Sequence, residues 1–351
     1  MPKTIQVQEN ISLAPFTTLK IGGKARLFVK AESEKQVVSA VKFAVENDFD
    51  LFVLGGGSNV LISDKGFDGL VLQIALRGIE FGTEKDGIVK VKACAGEDWD
   101  EFVKVCVEKN LQGLECLSGI PGLIGGTPVQ NVGAYGQEVA ETISTVRVFD
   151  RKSGELLELS NADCKFSYRT SIFNSTEKNR FIVLAVTFLL RQNGEPKIVY
   201  KDLREHFSGK TPDLSEARIA VLQIRSAKSM VIDENDVNSR SAGSFFKNPI
   251  VSKEKLEKIK ESFNVEVPFF SVDADNVKIP AAWLIENAGF YKGFRKGNIG
   301  LSENHPLAIV NFGEAGSEDV IELKNLIQQN VREKFGIALI PEPVFVGFAT
   351  N

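Results

Sequence analysis

Apolar residues recur at helical spacing in two stretches of the first third of the chain. Ser33 and Gln36 have the spacing of a capping box, in which each side chain satisfies a backbone N–H at the start of a helix. Apolar residues on one face follow this box, and a second stretch near residue 100 shows the same spacing. The two predicted faces consist of Val37, Val41, Ala44 and Val45, and of Trp99, Phe102, Val103, Cys106 and Val107.

Two further helices are predicted in the last third of the chain. Pro280 and Gly289 bracket residues 281–287, and this order favours a helix because proline suits a first turn and glycine suits the position after the last turn. Ser317 precedes a longer helix that ends at Gly336. The apolar side of that helix carries Val320, Leu323, Ile327 and Val331.

Short apolar or alternating runs predict strands between these helices. The predicted strands cover Leu51–Leu54, Val60–Ser63, Val89–Val91, Ser144–Phe149 and Phe181–Leu190, with an extended segment at Ile337–Gly347. Strands and helices do not alternate strictly as they do in doubly wound folds. We therefore predict an α+β fold, with boundaries near residues 75 and 228.

Composition narrows the classes of function. The 351 residues carry a formal net charge of -4, and the lysines and arginines are spread along the chain, so no basic patch indicates a nucleic-acid partner. The longest apolar run, Phe181–Leu190, is far shorter than the roughly 20 residues that a membrane helix needs. The first residues contain no apolar run typical of a signal peptide, and we expect a cytoplasmic protein that does not bind membranes.

The four cysteines lack the spacing of a metal site, and we expect them to be reduced, buried thiols. The chain contains only two histidines, His206 and His305, so a histidine-rich metal centre is not expected. We predict that the protein binds no metal.

The first candidate for a phosphate site is the loop Gly55-Gly56-Gly57-Ser58-Asn59. The loop joins two predicted strands, whereas the glycines of a dinucleotide fold open a helix. Its consecutive backbone N–H groups can form a nest for a diphosphate. A tight hairpin turn explains the same residues, and the loop alone does not separate the two interpretations.

The second candidate is the stretch Gly119–Gly136, which holds seven glycines in eighteen residues. This glycine content is incompatible with a regular helix and allows the backbone to approach a flat or charged ligand closely. The interpretation as a plain loop is weaker here, because the stretch also contains the run Pro-Val-Gln-Asn.

Together, the two stretches resemble the FAD-binding part of UDP-N-acetylenolpyruvoylglucosamine reductases. Five further segments resemble motifs of that family in the same order, so the resemblance extends over almost the whole chain. These segments are Phe166–Phe173, Arg225 with Lys228, Ser241–Pro249, Ala281–Glu286 and Leu339–Gly347.

The resemblance implies an FAD-binding domain of the vanillyl-alcohol-oxidase-like type, followed by an α+β substrate-binding domain. The implied domains are residues 1–75 and 76–228, as two FAD-binding lobes, and residues 229–351, whose last strand returns Glu342 to the active site. Non-covalent FAD is the implied cofactor. The residues implied to bind it are Gly55, Gly56, Gly57, Ser58, Asn59, Gly119, Pro121, Gly122, Gly125, Gly126, Gln130, Asn131, Gly133, Ala134 and Tyr135.

The implied reaction is the NADPH-dependent reduction of UDP-N-acetylglucosamine enolpyruvate to UDP-N-acetylmuramate in peptidoglycan precursor synthesis, carried out by a monomer. The implied catalytic residues are Arg169, Ser244 and Glu342. Arg169 suits a carboxylate because guanidinium is planar, always charged and able to donate two hydrogen bonds. Ser244 is the implied proton donor, and Glu342 either donates to the enolate oxygen or orients Arg169. The implied substrate-binding residues are Tyr168, Tyr200, Lys228, Asn248 and His305, with Lys247 as a further candidate.

The segment Ile198–Leu203 resembles the tyrosine-containing segment of the type I members, in which Tyr200 closes over the substrate. Two departures from the family pattern concern the active site. The family's Leu-Glu-Pro-Glu-Val is Leu339-Ile340-Pro341-Glu342-Pro343 here, and Arg240-Ser241 replaces Gly-Asn before Ala242. The first departure leaves Glu342 as the acidic residue of this segment and adds a proline after it.

Two other classes of function remain open at the level of the sequence. Another flavin enzyme of the same superfamily, such as an alcohol oxidase, needs the glycine-rich stretches but not the segment around Ser244. A sensor that binds FAD or a nucleotide sugar needs no catalytic residues, and the presence of Arg169, Ser244 and Glu342 argues against it.

Overall fold

The computed structural model describes residues 5–263 and 265–348. Its helices are α1 (Glu34–Glu46), α2 (Trp99–Glu108), α3 (Lys201–Phe207), α4 (Leu214–Ala227), α5 (Lys253–Phe263), α6 (Ala281–Asn287) and α7 (Ser317–Phe335). Short 3₁₀ turns, among them Ile124–Gly126, lie between these elements.

The strands in the first half of the chain are β1 (Gln8–Ser12), β2 (Lys24–Ala31), β3 (Leu51–Leu54), β4 (Val60–Ile62), β5 (Phe67–Ile74), β6 (Ile79–Phe81), β7 (Ile88–Cys94), β8 (Leu111–Gln112), β9 (Gly133–Ala134), β10 (Gln137–Glu138), β11 (Ile143–Asp150) and β12 (Leu156–Ser160). They are followed by β13 (Phe181–Gln192), β14 (Ser241–Ser244), β15 (Ile250–Ser252), β16 (Phe270–Ser271), β17 (Asn276–Lys278), β18 (Arg295–Lys296), β19 (Ile299–Leu301), β20 (Ala308–Asn311) and β21 (Val344–Val346).

The chain forms two compact units. Unit 1 comprises residues 1–11, 24–57 and 67–231, and unit 2 comprises residues 12–23, 58–66 and 232–351. Both units mix helices with sheets, which confirms the predicted α+β class. The predicted boundary near residue 75 lies inside unit 1, and the division of that region into two lobes stays a prediction.

The described part of unit 1 contains two large sheets and the two-stranded sheet of β9 and β10. The first has the order β1-β2-β5-β3, with β5 parallel to both β2 and β3. The second is antiparallel along β12-β11-β13-β7-β6, and β8 also pairs with β13. Apolar residues of α1, α2 and both sheets form one core, in which Trp99, Phe102 and Phe188 are among the largest fully buried side chains. Burial of aromatic side chains of this size contributes strongly to stability.

Unit 2 has smaller sheets. The order β14-β20-β19-β18 forms an antiparallel sheet, β17 pairs with β15 and β16, and β21 runs parallel to β4. Phe245 and Phe246 are fully buried in the core, together with the apolar face of α7. The strand that carries Ser244 is therefore anchored by the two aromatic residues that follow it.

The predicted helices are confirmed. Residues 281–287 form α6, and α7 begins at Ser317 and ends before Gly336, whose φ of 62° is the left-handed conformation that ends many helices. Only one of the two hydrogen bonds of the predicted capping box forms at the start of α1. The Ser33 hydroxyl accepts from the N–H of Gln36, but the Gln36 side chain accepts from the N–H of Glu32 instead of that of Ser33.

The predicted strands are also present, with different ends. The central runs extend to Ile88–Cys94, Ile143–Asp150 and Phe181–Gln192. The segment 337–347 is a strand only at Val344–Val346, where it pairs with β4. Pro341 and Pro343 lack the N–H that a ladder uses, which explains why the strand begins after them.

Candidate active site

Gly56 of the first glycine-rich stretch meets Gly122 of the second within unit 1. A Cβ on Gly56 would lie 2.7 Å from the Cα of Gly122 and 3.2 Å from the nitrogen of Leu123. A Cβ on Gly56 does not fit at these distances, so this close contact requires glycine at position 56. The structure thus brings together the two segments that the sequence proposes for FAD.

The loop Gly55–Asn59 is not a hairpin turn. Strand β3 before it pairs with β5, and strand β4 after it pairs with β21, so the two flanking strands do not pair with each other. The hairpin interpretation is therefore wrong. Gly57 has a φ of 65°, a left-handed conformation that glycine adopts without steric cost.

Backbone hydrogen bonds with residues 95–99, which lead into α2, fix the shape of the second stretch. Trp99 N donates to the carbonyl of Gly122 at 3.0 Å, Ile124 N donates to that of Glu97 at 2.9 Å, and Gly125 N donates to that of Ala95 at 2.9 Å. By contrast, a Cβ on Gly126 would meet nothing within 4 Å. Hydrogen bonds therefore hold the stretch at Gly122 and Gly125, whereas space remains beside Gly126.

Asn131 connects the end of this stretch to its surroundings. The side chain is buried, donates to Glu138 Oε2 at 2.7 Å and to the Ser167 carbonyl at 3.1 Å, and accepts from the N–H of Ala140. Its φ of 46° is left-handed, as is the φ of 50° at Tyr135. Such conformations in non-glycine residues concentrate at functional sites. These contacts give the Asn131 side chain a structural role within the stretch.

Arg169 lies against the same glycine-rich stretch. Its Nη2 donates to the carbonyl of Gly133 at 2.6 Å and its Nη1 to that of Asn131 at 3.3 Å, and the guanidinium carbon lies 5.4 Å from the centre of the Tyr168 ring. Arg169 has a φ of 51°, and Asn174 donates to its carbonyl at 3.1 Å. The structure therefore places the predicted catalytic cation beside the predicted FAD segment.

Tyr200 and Lys228 also belong to unit 1. Tyr200 lies just before α3, its side chain is 37% exposed, and its ring meets Tyr135 edge to face with centroids 5.4 Å apart. Burial raises the pKa of both tyrosines, so both hydroxyls are neutral donors at neutral pH. Lys228 forms an ion pair with Asp202 of α3 at 2.7 Å.

Ser244 and His305 meet in unit 2. The Oγ of Ser244 lies 3.5 Å from the Nε2 of His305, at the point where β14 pairs with β20. The ladder is irregular between Ser241 and Ser244, and Gly243 between them has a φ of 72°. This bulge places Ser244 at the end of its strand, half-buried and next to an imidazole.

Glu342 belongs to the same unit, and its backbone is held on both sides. Its N–H donates to the carbonyl of Phe245 at 2.9 Å, and the Asn59 amide donates to its carbonyl at 3.3 Å. Phe245 follows Ser244 directly, so this hydrogen bond joins the backbone of Glu342 to the residue after Ser244. The added proline therefore leaves Glu342 attached to the strand that carries Ser244.

Asn248 has a structural contact that sequence reasoning did not predict. Its side-chain oxygen accepts from the N–H of Ala281 at 2.8 Å, which satisfies the first turn of α6. The amide of Asn248 is thereby oriented by the helix. Gln130 and Lys247 are half-buried, and their predicted ligand contacts stay predictions.

Asp100 and Arg218 were not predicted as site residues. Both oxygens of Asp100 accept from Arg218, and one of them also accepts from the N–H of Gly119, the first residue of the glycine-rich stretch. The signal in the sequence is weak. Arg218 lies beside the apolar positions Leu214, Ala217 and Val221 of α4, where a charged residue indicates a buried partner.

The cysteine thiols form no disulfide among the described residues, and burial disfavours their ionisation. All four cysteines are free, and burial raises the pKa of Cys106 and of Cys164 to about 12. Within residues 5–263 and 265–348, no three His, Cys, Asp or Glu side chains form a group able to hold a metal ion. None of the described helices is both long enough and apolar enough to cross a bilayer.

Comparison with known proteins assigns both parts of the chain. Residues 25–160 match the model of an FAD binding domain, and residues 235–346 match the C-terminal domain of UDP-N-acetylenolpyruvoylglucosamine reductase. These matches confirm the predicted arrangement of an FAD-binding domain followed by a C-terminal domain, and they confirm FAD as the cofactor.

Relatives match along nearly the whole chain. The UDP-N-acetylenolpyruvoylglucosamine reductase of Streptomyces coelicolor is 43% identical over 98% of this chain and 91% of its own length. That of Thermobifida fusca is 40% identical over 98% of this chain and 99% of its own length. The crystal structure of the Thermus caldophilus enzyme has a TM-score of 0.66 at 25% identity, covering 97% of this chain and 99% of that chain. This chain belongs to the UDP-N-acetylenolpyruvoylglucosamine reductase family.

Proposed function

We propose that this protein uses NADPH to reduce the enolpyruvyl group of UDP-N-acetylglucosamine enolpyruvate, which yields UDP-N-acetylmuramate for peptidoglycan synthesis. The observation that carries the proposal is the match to reductases of this name over 98% of the chain, together with the hydrogen bond from Glu342 N to the carbonyl of Phe245, the residue after Ser244. In this scheme residues 1–75 and 76–228 are two FAD-binding lobes, and residues 229–351 bind the substrate.

The backbone of unit 1 fits a flavin nucleotide. The contact between Gly56 and Gly122 leaves no room for side chains, and Gly126 faces open space. Backbone N–H groups in such glycine-rich turns are suited to a diphosphate. The residues that hold FAD are Gly55–Asn59 and members of the stretch Gly119–Tyr135. When bound, FAD supplies the hydride that NADPH has delivered and that the substrate carbon receives.

Arg169 meets the substrate carboxylate and the negative charge that grows beside it during reduction. Two of its nitrogens donate to the carbonyls of Asn131 and Gly133, which hold the guanidinium in place before the substrate arrives. A cation that is already oriented stabilises developing charge without reorganisation. The planar group can also donate to a carboxylate through its remaining N–H groups.

Ser244 delivers a proton to the carbon next to the carboxylate. An enolate is a strong base, so a hydroxyl held in contact with it is acidic enough to donate. The Nε2 of His305 lies 3.5 Å from the serine oxygen, and this imidazole orients the hydroxyl. Glu342, when protonated, donates to the enolate oxygen and stabilises the same charge.

Both substrates are small nucleotides, so the reaction needs neither a nucleic acid nor a membrane. We extend the proposal to a monomer that works in the cytoplasm. Size-exclusion chromatography with light scattering tests the monomer, because a stable dimer would double the mass expected from the sequence.

The decisive experiment follows the flavin of the purified protein under anaerobic conditions. NADPH should bleach the flavin absorbance, and the enolpyruvyl nucleotide sugar should restore it with formation of one UDP-N-acetylmuramate per NADPH. Restoration only by oxygen would indicate an oxidase. A flavin that NADPH does not bleach would indicate a binding protein, and either result overturns the proposal.

A further inference from the structure

An ion pair between the half-buried Asp100 and the buried Arg218 adjoins the glycine-rich stretch of unit 1. Nη1 and Nη2 of Arg218 donate to the two oxygens of Asp100 at 2.6 and 2.8 Å, and the Arg218 side chain is only 11% exposed. Such two-pronged pairs fix orientation as well as charge. The pair joins the first turn of α2 to α4.

Asp100 uses one of these oxygens a second time. Its Oδ1 accepts from the N–H of Gly119 at 2.5 Å. Gly119 has a φ of 71°, and a Cβ there would lie 2.8 Å from Leu222 and 3.2 Å from Val231. The conformation of this residue is therefore set by a carboxylate on one side and by close packing on the other.

The charge of Asp100 persists in this environment. Burial acts to raise its pKa, but the hydrogen bonds from Arg218 and Gly119 outweigh burial and hold the pKa below its usual range. Asp100 is consequently ionised at neutral pH. An ionised acceptor binds an N–H group about twice as strongly as a neutral one.

Gly119 controls the position of the segment that meets the first glycine loop. Three residues further on, the carbonyl of Gly122 accepts from Trp99 N, the neighbour of Asp100, and Gly122 touches Gly56. Two adjacent residues of α2 thus hold both ends of the turn Gly119–Gly122.

We propose that Asp100 and Arg218 are positioning residues for FAD, which act by fixing Gly119 and, through it, the contact between the two glycine-rich segments. The inference deepens the FAD site of the proposed function. It assigns no contact between either side chain and the flavin. Its consequence is that the pair contributes to FAD affinity in addition to its contribution to folding.

The test compares Asp100→Ala with Asp98→Ala in protein from which FAD has been removed. Asp98 is a matched control because it lies in the same turn and its side chain caps α2 by accepting from Glu101 N, but its side chain does not hold Gly119. Asp98→Ala should lower the melting temperature of the apoprotein by about 2–4 °C through loss of the cap. Asp100→Ala should lower it further, because it also leaves the guanidinium of Arg218 without its carboxylate. The dissociation constant of FAD is then measured by quenching of flavin fluorescence.

We expect Asp100→Ala to weaken FAD binding by about 10- to 100-fold, the effect of losing a hydrogen bond to a charged group. Asp98→Ala should change it by less than about 3-fold. Arg218→Met should weaken binding in the wild-type background, but add little in the Asp100→Ala background, because it acts through Asp100. Asp100→Asn, which keeps an acceptor oxygen, should recover part of the affinity.

Equal FAD affinities in the Asp100→Ala and Asp98→Ala variants would overturn the inference, as would additive effects of Arg218→Met and Asp100→Ala. If Asp100→Ala fails to fold, the FAD affinity of Arg218→Met tests the inference by itself. Unchanged FAD affinity in Arg218→Met would then overturn the inference. A wild-type apoprotein that does not bind FAD would instead contradict the FAD site itself. The two failures are therefore distinguishable.

Discussion

Gly56 lies so close to Gly122 that a Cβ on Gly56 would come within 2.7 Å of the Gly122 Cα. The two residues are 66 positions apart in the chain, and each belongs to a segment that resembles an FAD-binding motif. Their contact explains why the first segment needs glycine at this point. Gly126 in the second segment is different, because a Cβ there would meet nothing within 4 Å. Glycine at position 56 thus serves packing, whereas glycine at position 126 leaves space beside the backbone.

Alanine substitutions should separate these two roles. Gly56→Ala should destabilise the apoprotein by about 1–3 kcal/mol, since the added methyl group forces two backbones apart. Gly126→Ala should leave the apoprotein's stability within about 0.5 kcal/mol, yet weaken FAD binding if the flavin approaches this backbone. Urea unfolding of the apoproteins and FAD titration provide both measurements. A Gly56→Ala variant as stable as Gly126→Ala would contradict the close contact.

Local patterns predicted much of the fold and part of the site. Helical spacing identified α1, α2 and α7, and the order strand, glycine loop, strand correctly excluded a dinucleotide fold. The partners of β3 and β4 could not be predicted, because strand pairing depends on residues far away in the chain. For the same reason, the pair of Asp100 and Arg218, 118 positions apart, was missed.

The flavin should not be covalently attached. Neither His206 nor His305 belongs to the glycine-rich segments, and the raised thiol pKa values of the buried cysteines leave little thiolate for attachment. Acid precipitation should release FAD into the supernatant, where its absorbance is measured. Flavin that stays with the pellet would contradict this prediction.

Asp150 should make the free energy of unfolding of unit 1 depend on pH in the acidic range. Hydrogen bonds from Arg180 lower the pKa of Asp150 to about 2, and the side chain is almost fully buried. Because its folded pKa lies below its unfolded value, its contribution to stability is complete above about pH 4 and is lost as the pH falls towards 2.

Asp150→Asn should therefore cost about 1.5–3 kcal/mol at pH 7. The difference between wild type and variant should shrink as urea unfolding is repeated between pH 4 and pH 2. Asp68→Asn is the control, since Asp68 pairs with Arg26 at an exposed position and should cost less than about 1 kcal/mol. A difference that stays constant with pH would show that the ion pair with Arg180 does not cause the effect.

Tyr200→Phe should weaken substrate binding without slowing the reduction of the flavin by NADPH. The Tyr200 ring contacts Tyr135, and the residue remains 37% exposed. Losing one hydrogen bond to a charged diphosphate should cost about 1.5–3 kcal/mol. Tyr291→Phe, at a 63% exposed position of unit 2, serves as the control. Unchanged substrate affinity would mean that Tyr200 does not close over the substrate and that the type I assignment is wrong.

Ser244→Ala should separate the two half-reactions. Reduction of the flavin by NADPH needs no proton donor at the substrate carbon, so this step should stay nearly intact. Reoxidation by the enolpyruvyl substrate should slow by about 10²–10⁴, the usual contribution of general acid catalysis, which equals roughly 2.7–5.4 kcal/mol. Ser244→Cys should recover part of the rate, because a thiol donates a proton at similar reach. Stopped-flow absorbance of the flavin reports both steps.

The surroundings of Ser244 make this substitution easy to interpret. Its backbone is held by the pairing of β14 with β20, and the buried Phe245 anchors the next position, so removing the hydroxyl leaves the strand in place. Ser241→Ala is the matched control, since Ser241 lies on the same strand and its hydroxyl accepts from the N–H of Gly243. If Ser244→Ala slowed both half-reactions equally, as a distorted strand would, Ser244 would be structural. If only reoxidation slows, and Ser241→Ala leaves that step unchanged, the hydroxyl of Ser244 itself is the proton donor.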